Sequence, residues 1–119
     1  MEAFVGEIRF TAFAWAPRYW LVCDGSILPL VQNVALYSLL GTTYGGNGST
    51  TFQIPNLIDR FPMHRSSTYP LGSTSGSNQL TSGNEIQGTM TLGPTPLISP
   101  RALGFQPIIC IAGVYPPRS

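Results

Sequence analysis

The residues of this 119-residue chain whose types could move protons or attack a substrate are few: five carboxylates, one histidine and two thiols. Asp24, beside Gly25, would be a catalytic carboxylate if Asp59 or Glu7 stood across a glycosidic bond from it, because hydrolysis of such a bond needs two carboxyl groups. An Asp-Gly turn accounts for Asp24 more simply, with its side chain accepting from nearby backbone amides. Glu7 with Arg9, and Asp59 with Arg60, read as ion pairs. Cys23 and Cys110 sit in Leu-Val-Cys and Ile-Cys-Ile runs. An apolar setting raises a thiol pKa, so neither is expected to act as a nucleophile with His64, and buried thiols are expected in preference to a disulfide. His64 lies in Phe61-Pro62-Met63-His64-Arg65 and reads as a loop residue; only three copies of it on a threefold axis would surround a metal. No catalytic residue, metal or cofactor is expected. Gly41, Gly45, Gly46 and Gly48 resemble a phosphate loop in spacing, but they follow a helix instead of opening one and no Lys-Ser/Thr comes after them.

Composition narrows the partners. Charged residues are 9% of the chain, against about 25% in an ordinary soluble domain, and every basic residue is arginine. With a net charge of +1 there is no basic stripe to hold a phosphate backbone, so nucleic acid is not expected. A hydrophobic content of 43% with so little charge implies surface covered by other chains. No apolar run approaches the ~18 residues of a membrane span, and Glu2 and Glu7 near the start argue against a secretory signal. Synthesis in the cytoplasm, without membrane insertion, is the expectation.

The elements that must position these residues follow from periodicity. Glu7 and Arg9 alternate with Ile8 and Phe10, as in a half-buried strand, and Trp20-Leu21-Val22-Cys23 is a second, brief strand stopped by Asp24-Gly25. Pro29 is placed to open a helix whose faces carry Val31, Val34, Ala35, Tyr37, Leu39 and Leu40, with Gly41 as its C-terminal cap; apolar almost all round, it should be buried. Thr42-Thr43-Tyr44 and residues 50–54 flank Gly45–Ser49, which suggests a hairpin. From Ser66 to Ser99 the chain is rich in Ser, Thr, Gly and Pro with Glu85 its sole charge, a composition for extended strands supported by neighbouring chains. Phe105 to Val114 reads as a central strand buried on both faces, ended by Pro116-Pro117.

The order of these pieces resembles a known family. Gly6-Glu7-Ile8-Arg9, Ala16-Pro17-Arg18-Tyr19-Trp20-Leu21-Val22-Cys23-Asp24-Gly25, Leu28-Pro29-Leu30, Ala35-Leu36-Tyr37-Ser38-Leu39-Leu40-Gly41-Thr42-Thr43-Tyr44-Gly45-Gly46 and Thr51-Phe52-Gln53-Ile54-Pro55-Asn56-Leu57 resemble the phage tail collar domain, which also heads the microcystin-dependent proteins. The segment from Ile108 to Arg118 is similar to the C-terminal strand of that family. The resemblance implies a structural domain of tail fibres that trimerises through interwoven strands and carries host-binding surfaces at its far end. Longer members hold a metal through an H-x-H motif at that tip. Here Gln79 to Gly88 and Thr89-Met90-Thr91 stand in its place, so the receptor tip is expected to be shortened or replaced.

The resulting expectation is a mainly β (α+β) domain with one short buried helix. Residues 1–65 form the collar core, 66–99 an extended insert at an interchain or distal tip region, and 100–119 the strand that completes the core. It is expected to be a structural subunit of a phage tail fibre or tail tip, located in the virion tail, trimeric with itself or with related collar proteins, and contributing to host attachment. Arg9, Arg18, Trp20, Arg60, Phe105, Ile109 and Ile111 are the expected assembly contacts. The alternatives are a monomeric carbohydrate- or protein-binding module, with Trp15, Tyr19 and Tyr44 as a glycan-stacking platform on a host surface, or a phage-derived part of a bacterial injection or surface appendage.

Overall fold

The computed structural model describes residues 3–75 and 103–118. The extended strands expected between Ser66 and Ser99 therefore lie, from residue 76 on, outside the described residues. Five strands and one helix follow in the order β1 (Ile8–Thr11), β2 (Trp20–Val22), β3 (Ile27–Pro29), α1 (Val34–Leu40), β4 (Thr51–Gln53) and β5 (Gln106–Cys110). They make two antiparallel sheets, one ordered β1-β5-β2 and one pairing β3 with β4. The chain is mainly β with one short helix, as the sequence indicates.

The C-terminal strand is central, and its register shows why. Ile109 stands opposite Ile8 on one side and Leu21 on the other, while Ile108 stands between Arg9 and Val22. Because successive side chains point to opposite faces, Ile109 and Leu21 face a core of Val5, Cys23, Leu36, Phe52 and Ile54, while Ile8 at the sheet edge stays exposed. Full burial of an aliphatic side chain such as Ile109 contributes about 1.5–3 kcal/mol. The strand is shorter than the apolar run. It ends at Cys110, and Val114 returns only as an isolated parallel bridge to Phe4, well before Pro116-Pro117.

Three expectations about local structure are corrected. Pro29 does not open the helix: it pairs with Thr51 at the end of β3. A two-stranded sheet has only edges, where a missing N–H is tolerated. The helix begins five residues later, after Asn33, whose side-chain amide donates to the Pro29 carbonyl at 3.0 Å. Nor is the helix buried all round. Leu36 is its one buried residue, and Val34 is exposed, as is Val31 just before it. Two turns of helix laid on one sheet have only one side to cover. Finally, residues 50–54 do not form a hairpin with Thr42-Thr43-Tyr44; Thr51–Gln53 pairs with β3 instead, and 42–44 is a turn. Gly41 does take the positive φ, +57°, expected of a cap, and its N–H donates to Tyr37 at 2.7 Å.

The glycine loop is held by one side chain. Asn47 Oδ1 accepts from the backbone amides of Ser49, Thr50 and Thr51 at 2.7, 2.9 and 3.1 Å. Gly46, at φ +97°, lies so close to β4 that an added Cβ would sit 2.3 Å from the Phe52 Cα. Backbone against backbone cannot yield. Gly46→Ala is therefore expected to destabilise the fold by more than about 2 kcal/mol, while Gly41→Ala, where an added Cβ meets nothing within 4 Å, should cost only about 1. The midpoints of urea unfolding compare the two.

Candidate functional site

Among the described residues, Glu7 and Asp24 are held by local hydrogen bonds and Asp59 is not. Glu7 accepts from the Phe4 amide and from Arg9 Nε, at 2.9 and 2.8 Å, and the first of these, then the second, lowers its pKa. Asp24 Oδ1 accepts from the Ser26 amide at 3.0 Å and from the Ser26 hydroxyl, the local turn bonding expected of an Asp-Gly pair. The Asp59–Arg60 ion pair is not formed: the Arg60 guanidinium donates to the Asn56 carbonyl at 3.1 Å, and Asp59 sits at φ +57°. Among the described residues no cluster of three His, Cys, Asp or Glu could hold a metal. His64 is an exposed loop residue whose Nδ1 contacts the Arg65 carbonyl oxygen.

Both cysteines are buried free thiols. Burial, and secondarily the charge of Asp24, pushes the Cys23 thiol from an ordinary 9.0 up to about 12. Burial likewise raises the Tyr44 hydroxyl, which is half-buried and not a free stacking face.

The expected assembly residues separate into two groups. Ile109 is fully buried in the core of its own chain, and Ile111 packs half-buried against that core. Ile109 is thus a core residue of its own chain, and part of Ile111 remains accessible. Arg9 lies over the Trp20 ring, 5.2 Å from its centroid, while held by Glu7, so this trio forms a small polar cover on the sheet. Phe105, in contrast, is exposed.

Around Phe105 the structure gathers residues that the sequence did not mark as assembly contacts. In β1 it is Arg9 and Thr11 that are half-buried, while Ile8 and Phe10 are exposed, the reverse of what alternation in a half-buried strand leads one to expect. The layer of Leu36, Phe52 and Ile54 covers Ile109 and Leu21 but leaves this edge strand bare. Phe10 pairs with Pro107, and beyond it the Phe13 and Trp15 rings meet at 4.6 Å between centroids, with Trp15 65% exposed. A groove of about 410 Å³ runs beside them, lined by Phe13, Val22, Ile58, Asp59, Phe105 and Gln106 among others. Gln106 Nε2 is buried there without a hydrogen-bond partner. Such an orphaned donor costs about 1–3 kcal/mol unless another molecule supplies an acceptor. The signal for this surface was present in Ile8 and Phe10, but only the position of β1 at a sheet edge decides that they stay uncovered.

Tyr19 is the other unexpected feature. It is 52% exposed at φ +72°, in a turn closed by the Trp20 amide donating to Pro17 at 3.0 Å, while its own carbonyl accepts from Ile111 at 2.9 Å. A left-handed conformation costs a bulky L-residue about 1–2 kcal/mol. Arg18 stacks on the Tyr19 ring at 4.9 Å.

Fold and surface together define a small mainly β domain whose sparsely charged, partly apolar exterior is suited to contact with other molecules. The family model described as Phage Tail Collar Domain matches residues 6–62, and this segment is similar to that family. A collar domain implies a structural role related to phage tail fibres. No curated protein gives a significant match.

The thiol chemistry is testable. Ellman's reagent at pH 8 should leave Cys23 unreacted in the folded protein and modify it after unfolding in urea. Because the folded-state pKa lies above the unfolded one, the contribution of Cys23 to stability is full below pH 9 and is lost as pH rises toward 12. A urea midpoint that falls across that window checks the sign.

Proposed function

We propose that the chain is a structural subunit of a phage tail fibre or tail tip, located in the virion tail, that assembles as a trimer with itself or with related collar proteins and contributes to host attachment. The observation that carries the assembly is the apolar end of the three-stranded sheet, where Phe10, Phe13, Trp15 and Phe105 are all exposed beside a groove with an unpartnered amide donor. Only 9% of the chain is charged, so little else on the surface keeps such an end in water. Covering it with a neighbouring chain removes the aromatic area from solvent. Phe105 remains an assembly contact in this reading, joined by Phe10, Phe13 and Trp15. Arg9 and Trp20 act one step away, holding the sheet that presents them. The family match supports the tail role. Host attachment follows from it as the task of a tail tip.

Light scattering after size exclusion, over a tenfold dilution, tests the assembly. The expected mass is about 38 kDa, three times the 12.8 kDa of one chain. Phe105→Ser should lower it toward one chain while the far-ultraviolet circular dichroism spectrum stays the same, because Phe105 lies outside the core. A single-chain mass for the native protein at every dilution would overturn the trimer.

A further inference from the structure

We propose that Arg18 and Tyr19, with the depression beside them, form a binding site for a saccharide that carries a carboxylate. The turn at Pro17–Trp20 is fixed on both sides, by the Trp20 amide on the Pro17 carbonyl and the Ile111 amide on the Tyr19 carbonyl, and it holds its third residue at positive φ. Glycine, which has no Cβ, would satisfy that geometry without strain. The chain places a tyrosine there, and its ring does not serve the core, since Tyr19 is 52% exposed and is not among the residues packed against it. Strain of this kind is found where a side chain has to be presented.

The neighbouring groups supply the chemistry. The Arg18 guanidinium rests 4.9 Å from the centre of the Tyr19 ring, and the structure gives it neither carboxylate nor carbonyl partner among the described residues. Beside the pair lies an open depression of about 270 Å³ lined by Trp20, Ala112, Gly113 and Val114 as well as Arg18 and Tyr19. It has room for a pyranose ring. An aromatic face takes the C–H face of a sugar, and a guanidinium fork takes a carboxylate through two parallel N–H donors. Among the described residues Arg18 is the one charged residue lining the depression, which matches one singly charged group better than a dianionic phosphate. The carboxylate of an acidic sugar, stacked on Tyr19 and paired with Arg18, satisfies every group left open.

This site takes its setting from the attachment role proposed above, yet its test stands apart from the trimer: a chain that stays monomeric and binds keeps the site and loses the trimer. Calorimetric titration of the full chain with oligogalacturonate, and with the same oligosaccharide after reduction of its carboxyl groups, reads the two contributions. The native protein is expected to bind the acidic form at least tenfold more tightly. Arg18→Gln should abolish that preference, and Tyr19→Gly should weaken both forms at least tenfold while the Tm stays the same or rises, since glycine relieves the backbone. Equal binding of the acidic and reduced forms, absence of binding to either, or native affinity in Tyr19→Gly would overturn the site. So would an Arg18→Gln variant whose only change is a lower mass in light scattering, which would assign Arg18 to a contact between copies.

Discussion

The fold depends on one insertion. β5, from the far end of the chain, enters between β1 and β2 and closes a sheet that neither of those strands could form alone. Ile109 is then walled by Ile8 and Leu21 in its own row and by Leu36, Phe52 and Ile54 above it. Pairing between chain ends is slow to form, because the loop must close before any contact repays it. Once made, it ties the N-terminal segments together from both sides, through Gly6 and Cys110 as well as through Val5 and Val114. Charge contributes little: among the described residues the ion pair formed is Glu7 with Arg9, and it lies on the surface.

The same insertion leaves an edge. β1 pairs on one side only, and the short helix and the β3–β4 ribbon do not reach over it, so Ile8, Phe10, Phe13 and Trp15 stay in solvent. A long unprotected apolar edge in a free monomer is an aggregation hazard. In a chain that carries a segment similar to the tail collar domain, such an edge has a use. Stability of one chain and incompleteness of its surface thus have a single cause, the small number of elements available to cover three strands.

Backbone demands divide the rest of the surface. At Gly46 the close approach to Phe52 permits no side chain, and the residue supplied is glycine. At residue 19 a similar positive φ is filled by tyrosine. Where space and strain agree on glycine the position is architectural; where a bulky ring is kept in spite of strain, the ring faces outward and stands beside a free guanidinium. That contrast is what separates scaffold from candidate contact in a chain where, among the described residues, Glu7, Asp24 and His64 make local hydrogen bonds and both thiols are buried.

Much of this was legible from residue order. The family resemblance, the brief second strand, the buried thiols, the Asp24 turn, the cap at Gly41 and the central C-terminal strand all rest on local chemistry: apolar runs, turn formers and periods that act over a few neighbours. The start of α1, the partner of β4, the exposure of the helix and the fate of Ile109 and Ile111 did not follow, because each depends on which distant segment lies alongside. Pro29 reads as a helix opener until Thr51 is known to face it, and Phe10 reads as core until β1 proves to be an edge. The sequence by itself determined the mainly β class and the resemblance of its first half to the collar domain. Only the tertiary structure decided which apolar residues are core and which are surface, and that a tyrosine sits at positive φ. Burial and strain belong to the packed backbone, and no single residue type encodes them.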